Sequence, residues 1–109
     1  MKIAIIGSRT LTISNIEDYL PSDITEIVSG GAKGIDQAAA QFARAHNIKL
    51  TEFLPDYARY GRRAPLKRND QIADYADAGL AFWDNSSRGT KYTIECFRRL
   101  GKPITVVIL

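Results

Sequence analysis

Short apolar-rich runs alternate along this chain with stretches of helical periodicity, and this alternation limits the fold more than any other feature. Ile3-Ala4-Ile5-Ile6 is the first run, closed by Gly7. Glu26 to Val28, Leu50 to Leu54, Gly79 to Trp83 and Ile104 to Leu109 follow it. A strand that is apolar on both sides is buried on both faces, as in a parallel sheet covered by helices. Between the strands, Ser14 and Glu17 have the spacing of a capping box, with Ile13, Ile16 and Leu20 on one helical face and Pro21 as a stop. Gln37 to His46 reads as a helix with Ala39, Phe42 and Ala43 on one stripe. Pro55 to Pro65 reads as a loop rich in tyrosine and arginine. Leu66 to Tyr75 is helical, with Ile72, Ala73 and Ala76 directed inward. Thr90 to Leu100 forms the last helix, carrying Ile94, Phe97 and Leu100 on its apolar side. Gly101 suits the C′ position, and Arg98 and Arg99 suit the negative helix end. The expected class is α/β: a single Rossmann-like, doubly wound sheet of about five mainly parallel strands and about four helices. It fills one domain over residues 1–109.

The chain of 109 residues has room for one modest core. Its net charge of +3 suits an anionic ligand without specifying nucleic acid. Cys96 and His46 are single, which excludes a disulfide framework within the chain and a histidine-based metal site. Cys96 is expected in the sheet–helix interface and His46 at a helix end. No metal and no cofactor are expected. No apolar run approaches the ~20 residues needed to span a bilayer, and Met1 to Gly7 lacks a signal-peptide cleavage pattern. The expected setting is cytoplasmic, without a membrane partner.

In doubly wound folds, ligands bind at the carboxyl ends of the strands. Polar, glycine-rich and basic residues collect there. Gly7, Ser8 and Arg9 follow the first strand, and Ser29-Gly30-Gly31-Ala32-Lys33-Gly34-Ile35-Asp36 follows the second. Tyr57 to Arg63 follows the third, and Trp83, Asp84, Ser87, Arg88, Gly89 and Thr90 lie at and beyond the end of the fourth. The opposite connections, such as Pro21-Ser22-Asp23 and Gly101-Lys102, are plain turns. Amides freed at a glycine-rich strand-to-helix turn, with the helix dipole behind them, suit a phosphate. The same glycines also suit a tight turn with close helix–strand packing. Three roles are open to Asp36: a first-turn acid facing the dipole, an acceptor for a ligand hydroxyl, or a buried partner for an arginine. Arg9 and Arg88 are either solvated or positioned to fork onto a phosphate or carboxylate. Arg68 and Asn69 open a helix. Thr90 suits an N-cap, and Trp83 either covers the core or stacks on a base.

Gly7-Ser8-Arg9, Ser29 to Asp36, Tyr60-Gly61, Arg68-Asn69, Trp83-Asp84 and Ser87-Arg88-Gly89-Thr90 occur in an order that resembles short proteins of the SLOG superfamily, in particular the YspA-like group. The resemblance extends over essentially the whole chain. It implies a Rossmann-like fold that binds a nucleotide or nucleotide-derived ligand, such as a nucleoside monophosphate or an ADP-ribose-like molecule, and it implies homodimers. In that reading Gly30, Gly31, Gly89 and Thr90 hold phosphate, and Ser8, Arg9, Lys33 and Arg88 add charge and hydrogen bonds. Asp36 or Asp84 accepts from a ribose hydroxyl, and Trp83 borders the base.

Two related groups imply alternatives. The Lonely guy phosphoribohydrolases cleave the N-glycosidic bond of nucleoside monophosphates, and their pattern places an arginine at Arg68 and Gly-Thr at Gly89-Thr90. It also places an acid where this chain has Thr93. Glu95 lies roughly 200° around the helix from that position. Asp36 and Asp84, with Arg68, remain as catalytic candidates. The DNA-processing protein DprA shares the Ser-Gly-x-Ala-x-Gly-Ile-Asp run and the Arg-Asn pair, and it implies single-stranded DNA binding. Tyr57, Arg59, Tyr60, Arg62, Arg63, Lys67 and Arg68 are the residues available for a basic, aromatic groove.

Overall fold

The five apolar runs form one all-parallel sheet with strand order β3-β2-β1-β4-β5 in a computed structural model that describes residues 1–109. The strands are β1 (Lys2–Gly7), β2 (Glu26–Ser29), β3 (Lys49–Glu52), β4 (Ala78–Trp83) and β5 (Ile104–Ile108). The helices are α1 (Ile35–Ala45), the short α2 (Tyr57–Tyr60), α3 (Ala64–Tyr75) and α4 (Arg88–Arg99). The fold is the expected Rossmann-like α/β class. β1 pairs with β2 on one side and with β4 on the other, Ile5 facing Leu80. The chain thus builds outward from β1 in one direction, then returns and builds in the other. The reversal opens a crevice at the carboxyl ends of β1 and β4.

Successive β1 residues enter different cores, as strand alternation requires. Ala4 and Ile6 meet Ile72, Ala73 and Ala76 around α3 and Ile94, Cys96 and Phe97 of α4. Ile3 and Ile5 meet Ile35, Ala39 and Ala43 of α1, together with Ile16 and Phe82. Both faces of the central strands are therefore dry, which explains their lack of polar alternation. Cys96 is buried in the first of these cores. No helix is long and apolar enough to cross a membrane.

Local structure departs from the sequence expectation at four places. The Ser14–Leu20 stretch is not a capped α-helix. It holds a 3-10 turn at Ile16–Tyr19 preceded by Asn15, without a side-chain cap. Ile13, Ile16 and Leu20 still reach the core, so the apolar contacts form without the cost of nucleating an α-helix in so short a segment. The Pro55–Pro65 stretch contains α2, whose start is capped by Asp56 Oδ1 accepting from the Arg59 amide at 3.1 Å. A 3-10 turn follows at Gly61–Arg63. Pro65 lies in the first turn of α3, where its missing N–H has no helical partner to lose. At α4 the N-cap is Ser87 and not Thr90, and Leu100 at its end is half exposed. Gly101 takes φ +68° directly after this helix.

Candidate functional site

The crevice is held open by one residue from each side of the chain reversal. The Ser8 amide donates to the Phe82 carbonyl at 3.2 Å, and Ser8 Oγ accepts from the Asp84 amide at 3.4 Å. These contacts join the ends of β1 and β4 below a cleft of about 390 Å³. Asp84 in turn shapes the start of α4. Its Oδ1 accepts from the Ser86 and Ser87 amides at 2.9 and 2.7 Å, which holds its carboxyl below the ordinary carboxylate range.

α4 begins at the cleft with Ser87, Gly89, Thr90 and, one turn on, Thr93. The first intrahelical donor is Lys91, whose amide bonds the Ser87 carbonyl at 3.2 Å. The amides of Arg88, Gly89 and Thr90 precede it and have no partner inside the helix. The hydroxyls of Ser87 and Thr90 sit 3.3 Å apart beside them. The helix dipole adds partial positive charge at the same point.

The opposite wall comes from the Ser29–Asp36 turn and from α3. Gly34, at φ +72°, brings the turn under the loop after β1. A Cβ there would meet the carbonyl oxygens of Arg9 and Leu11 at 2.6 and 2.7 Å. The turn spends amides on its own side chains: Gly31 donates to Ser29 Oγ at 3.3 Å, and Ala32 donates to Asp36 Oδ2 at 3.1 Å. Two of the donors a phosphate cradle would need are thereby occupied. The polar side chains that this wall brings to the cleft are instead those of Asp36, Arg68 and Asn69.

Asp36 and Arg68 are both 8% exposed and flank Gly30 without pairing. The one ion pair in the chain is Lys49–Glu26, at 3.5 Å. Arg68 Nη1 donates to the Gly30 carbonyl at 2.6 Å, and Nε donates to Asn69 Oδ1 at 2.8 Å. Nη2 has no hydrogen bond within the chain and remains open to solvent. Burial pushes the Asp36 carboxyl up, and Glu52 adds to this, against the Ala32 amide and the charge of Arg68. Burial pulls the Arg68 guanidinium down, opposed by Asp36, yet an arginine remains a cation at neutral pH.

Of the residues expected at the site, the cleft brings together Gly7, Ser8, Arg9, Gly30, Asp36, Arg68, Asn69, Asp84, Ser87, Gly89 and Thr90. Ser29 is buried beneath it, and Gly31 and Lys33 border an adjoining hollow. Trp83 lies outside; its indole Nε1 donates to the Ser87 carbonyl at 3.0 Å. Arg88 is exposed and also outside. Ile6, Thr10, Ala32, Pro65 and Ile72 line the cleft without having been anticipated. Thr93 lines it too, at the position where the Lonely guy pattern carries its acid. The Thr93 hydroxyl donates to the Gly89 carbonyl at 2.9 Å. Glu95 is exposed on another side of α4. No group of three or more His, Cys, Asp or Glu is placed to hold a metal ion.

An all-parallel sheet with a polar cleft at its point of reversal is the architecture of a Rossmann-like α/β domain. Residues 1–60, more than half of the chain, match the family model YAcAr, described as the YspA, cpYpsA-related SLOG family, and the chain belongs to that family. The matched half carries β1, the Ser29–Asp36 turn and β3; Arg68 and α4 lie beyond it. Searches of curated proteins and of solved structures gave no significant match.

Proposed function

We propose that the chain binds a nucleotide or nucleotide-derived ligand, a nucleoside monophosphate or an ADP-ribose-like molecule, in the cleft between β1 and β4. One observation carries this reading: the cleft faces the unpartnered first amides of α4 with one side and the Asp36 carboxyl with another. The α4 start, with the Ser87 and Thr90 hydroxyls, suits a phosphate. Asp36 uses Oδ2 on Ala32, and its other oxygen is free to accept from a sugar hydroxyl. Arg68 Nη2 and Arg9 supply positive charge at the rim. Membership of the SLOG family supports a nucleotide-related ligand.

A thermal-shift series with AMP, other nucleoside monophosphates, NAD, ADP-ribose and short DNA oligonucleotides tests it. A ligand at ~100 times its dissociation constant stabilises the native state by ~2.7 kcal/mol. In a domain of this size the melting temperature rises by roughly ten degrees. Absence of a shift with every mononucleotide and dinucleotide sinks the reading.

Glycosidic cleavage is the second reading, and the buried Asp36 is the observation in its favour. A carboxyl raised by burial suits a general acid. Against it stands Thr93, which supplies a hydroxyl where a carboxylate is needed beside the ribose. Release of free base from a nucleoside monophosphate, abolished by Asp36→Asn, is the measurement that decides it. Single-strand binding draws less support. Arg62 and Arg63 do not line the cleft, and the Tyr60 ring already has Arg59 and Lys67 over it, at 5.3 and 6.0 Å.

A further inference from the structure

A second hollow, of about 260 Å³, adjoins the cleft and shares Arg9, Gly30, Ala32 and Arg68 with it. Its chemistry differs. The cleft carries the carboxyls of Asp36 and Asp84, whereas the hollow is lined by three cations, Arg9, Lys33 and Arg68, and by no acid. None of the three has a carboxylate within ion-pair distance. Asp36 acts on Arg9 and Arg68 from the cleft side without pairing with either, and Glu52 stands behind Gly31, lining a separate depression with Arg44. Arg68 is more than nine-tenths buried, and its Nη2 is uncommitted. Arg9 and Arg68 are close enough for the charge of one to disfavour that of the other. Leu54, 65% exposed, and Pro55 form an apolar wall facing these cations. Like charges held outside any ion pair, around a pocket with one apolar wall, suit a phosphate joined to a sugar or base.

We propose that the ligand carries two phosphates on opposite sides of one sugar. The first lies at the start of α4 and the second lies in the hollow among Arg9, Lys33 and Arg68. This inference rests on the cleft reading above. The α4 residues line only the cleft, Lys33 and Leu54 line only the hollow, and the Gly30–Arg68 contact lies on the boundary. The two phosphates of a pyrophosphate share a bridging oxygen and fit one such position. A sugar between them spans both and passes Asp36, which accepts from its remaining hydroxyl. Nucleoside 3′,5′-bisphosphates and short oligonucleotides share this chemistry, and the assignment here is to the small molecule.

Isothermal titration with AMP, ADP, adenosine 3′,5′-bisphosphate and a short single-stranded DNA tests the assignment. The bisphosphate binds at least about tenfold more tightly than AMP, as one added charge-assisted contact implies, and ADP shows no comparable gain. Lys33→Gln, at an exposed position, brings the ratio of bisphosphate to AMP affinity close to one. Thr90→Val weakens both ligands and preserves the ratio. A bisphosphate no tighter than AMP overturns the second subsite and leaves the cleft reading standing. An equal gain with ADP overturns the separation of the phosphates, and DNA that outcompetes the bisphosphate overturns the small-ligand assignment. Failure of all four to bind overturns the bisphosphate assignment, whereas the cleft reading falls only when the other nucleoside monophosphates, NAD and ADP-ribose fail as well.

Discussion

Arg68 Nη1 donates to the Gly30 carbonyl oxygen at 2.6 Å, across 38 residues of chain. The contact fixes α3 to the turn after β2, and it explains why position 30 has no side chain. A Cβ on Gly30 would lie 2.5 Å from Nη1, 2.9 Å from Cζ and 3.1 Å from Asp36 Oδ2. One glycine therefore makes room for a cation and an anion that approach without joining.

Arg68→Lys leaves the Gly30 carbonyl without its planar donor. The expected loss of stability is about 1–3 kcal/mol, seen as a fall in melting temperature of roughly five degrees or more by circular dichroism. Gly30→Ala should cost a similar amount, about 1–3 kcal/mol, by displacing the guanidinium. A wild-type melting curve for both variants contradicts the role given to this contact.

Asp36 links stability to pH. Its folded carboxyl titrates above the ordinary 3.8 because of burial, so the native state holds more protons than the unfolded state in that interval. Stability then falls as pH rises from 3.8 through the raised value. Asp36→Asn keeps an acceptor for the Ala32 amide and removes the charge. The variant should melt above the wild type at neutral pH, with the difference shrinking below about pH 4. Equal melting temperatures across the range contradict this account.

Glu26 behaves in the opposite sense. Burial raises its carboxyl, but donation from Tyr75 Oη at 2.5 Å and from Thr51 Oγ1 at 2.7 Å, with Lys49 nearby, outweighs it and brings the net value below 4.5. This contribution to stability is complete above 4.5 and is lost as pH falls through the folded value. Tyr75→Phe should shift the midpoint of acid unfolding to higher pH. Fluorescence of Trp83 followed on acid titration measures the midpoint directly, and an unmoved midpoint counts against the network.

Thr90 is buried to 5% exposure with its hydroxyl beside Ser87 at the start of α4. If phosphate is bound there, Thr90→Val weakens AMP binding by about fivefold to thirtyfold, the equivalent of ~1–2 kcal/mol for one lost hydrogen bond to a charged group. Titration calorimetry reads this loss, and a circular dichroism melt checks that α4 is intact. Unchanged affinity moves the phosphate elsewhere in the cleft.

The strands were legible because burial on both faces removes polar residues from them: Ile3 to Ile6 admits few other readings. Ser14 to Leu20 was less legible, since a 3-10 turn buries Ile16 as well as a helix does. Pro65 hid the true start of α3, because the residue that ends helices also suits their first turn. At the site, Ser8, Asp36, Asp84 and Thr90 announced themselves by chemistry and by position after strands or in helix openings. Arg68 did so by chemistry alone, since α3 starts at Ala64 and Arg68 and Asn69 lie in its second turn rather than at its opening. Ala32, Pro65 and Ile72 line the same cleft with no chemistry to mark them. Thr93 had a usable signal, three residues after Thr90 and four after Gly89 on one helical face. The internal use of the Gly31 and Ala32 amides was not legible. It depends on where the Ser29 and Asp36 side chains turn, and eight letters of sequence leave that open.

The central place of β1 has a consequence during synthesis. Ile3 lies opposite Ala78 and Ile6 opposite Ala81, so one flank of β1 stays unpaired until β4 emerges from the ribosome. Pairings this distant along the chain form slowly, and an open apolar edge invites association with other chains meanwhile. Fragments that stop short of Ala78 should therefore aggregate, and chains that stop at Trp83 should as well, because β4 then lacks β5 and the core around Ala4 and Ile6 lacks Ile94, Cys96 and Phe97 of α4.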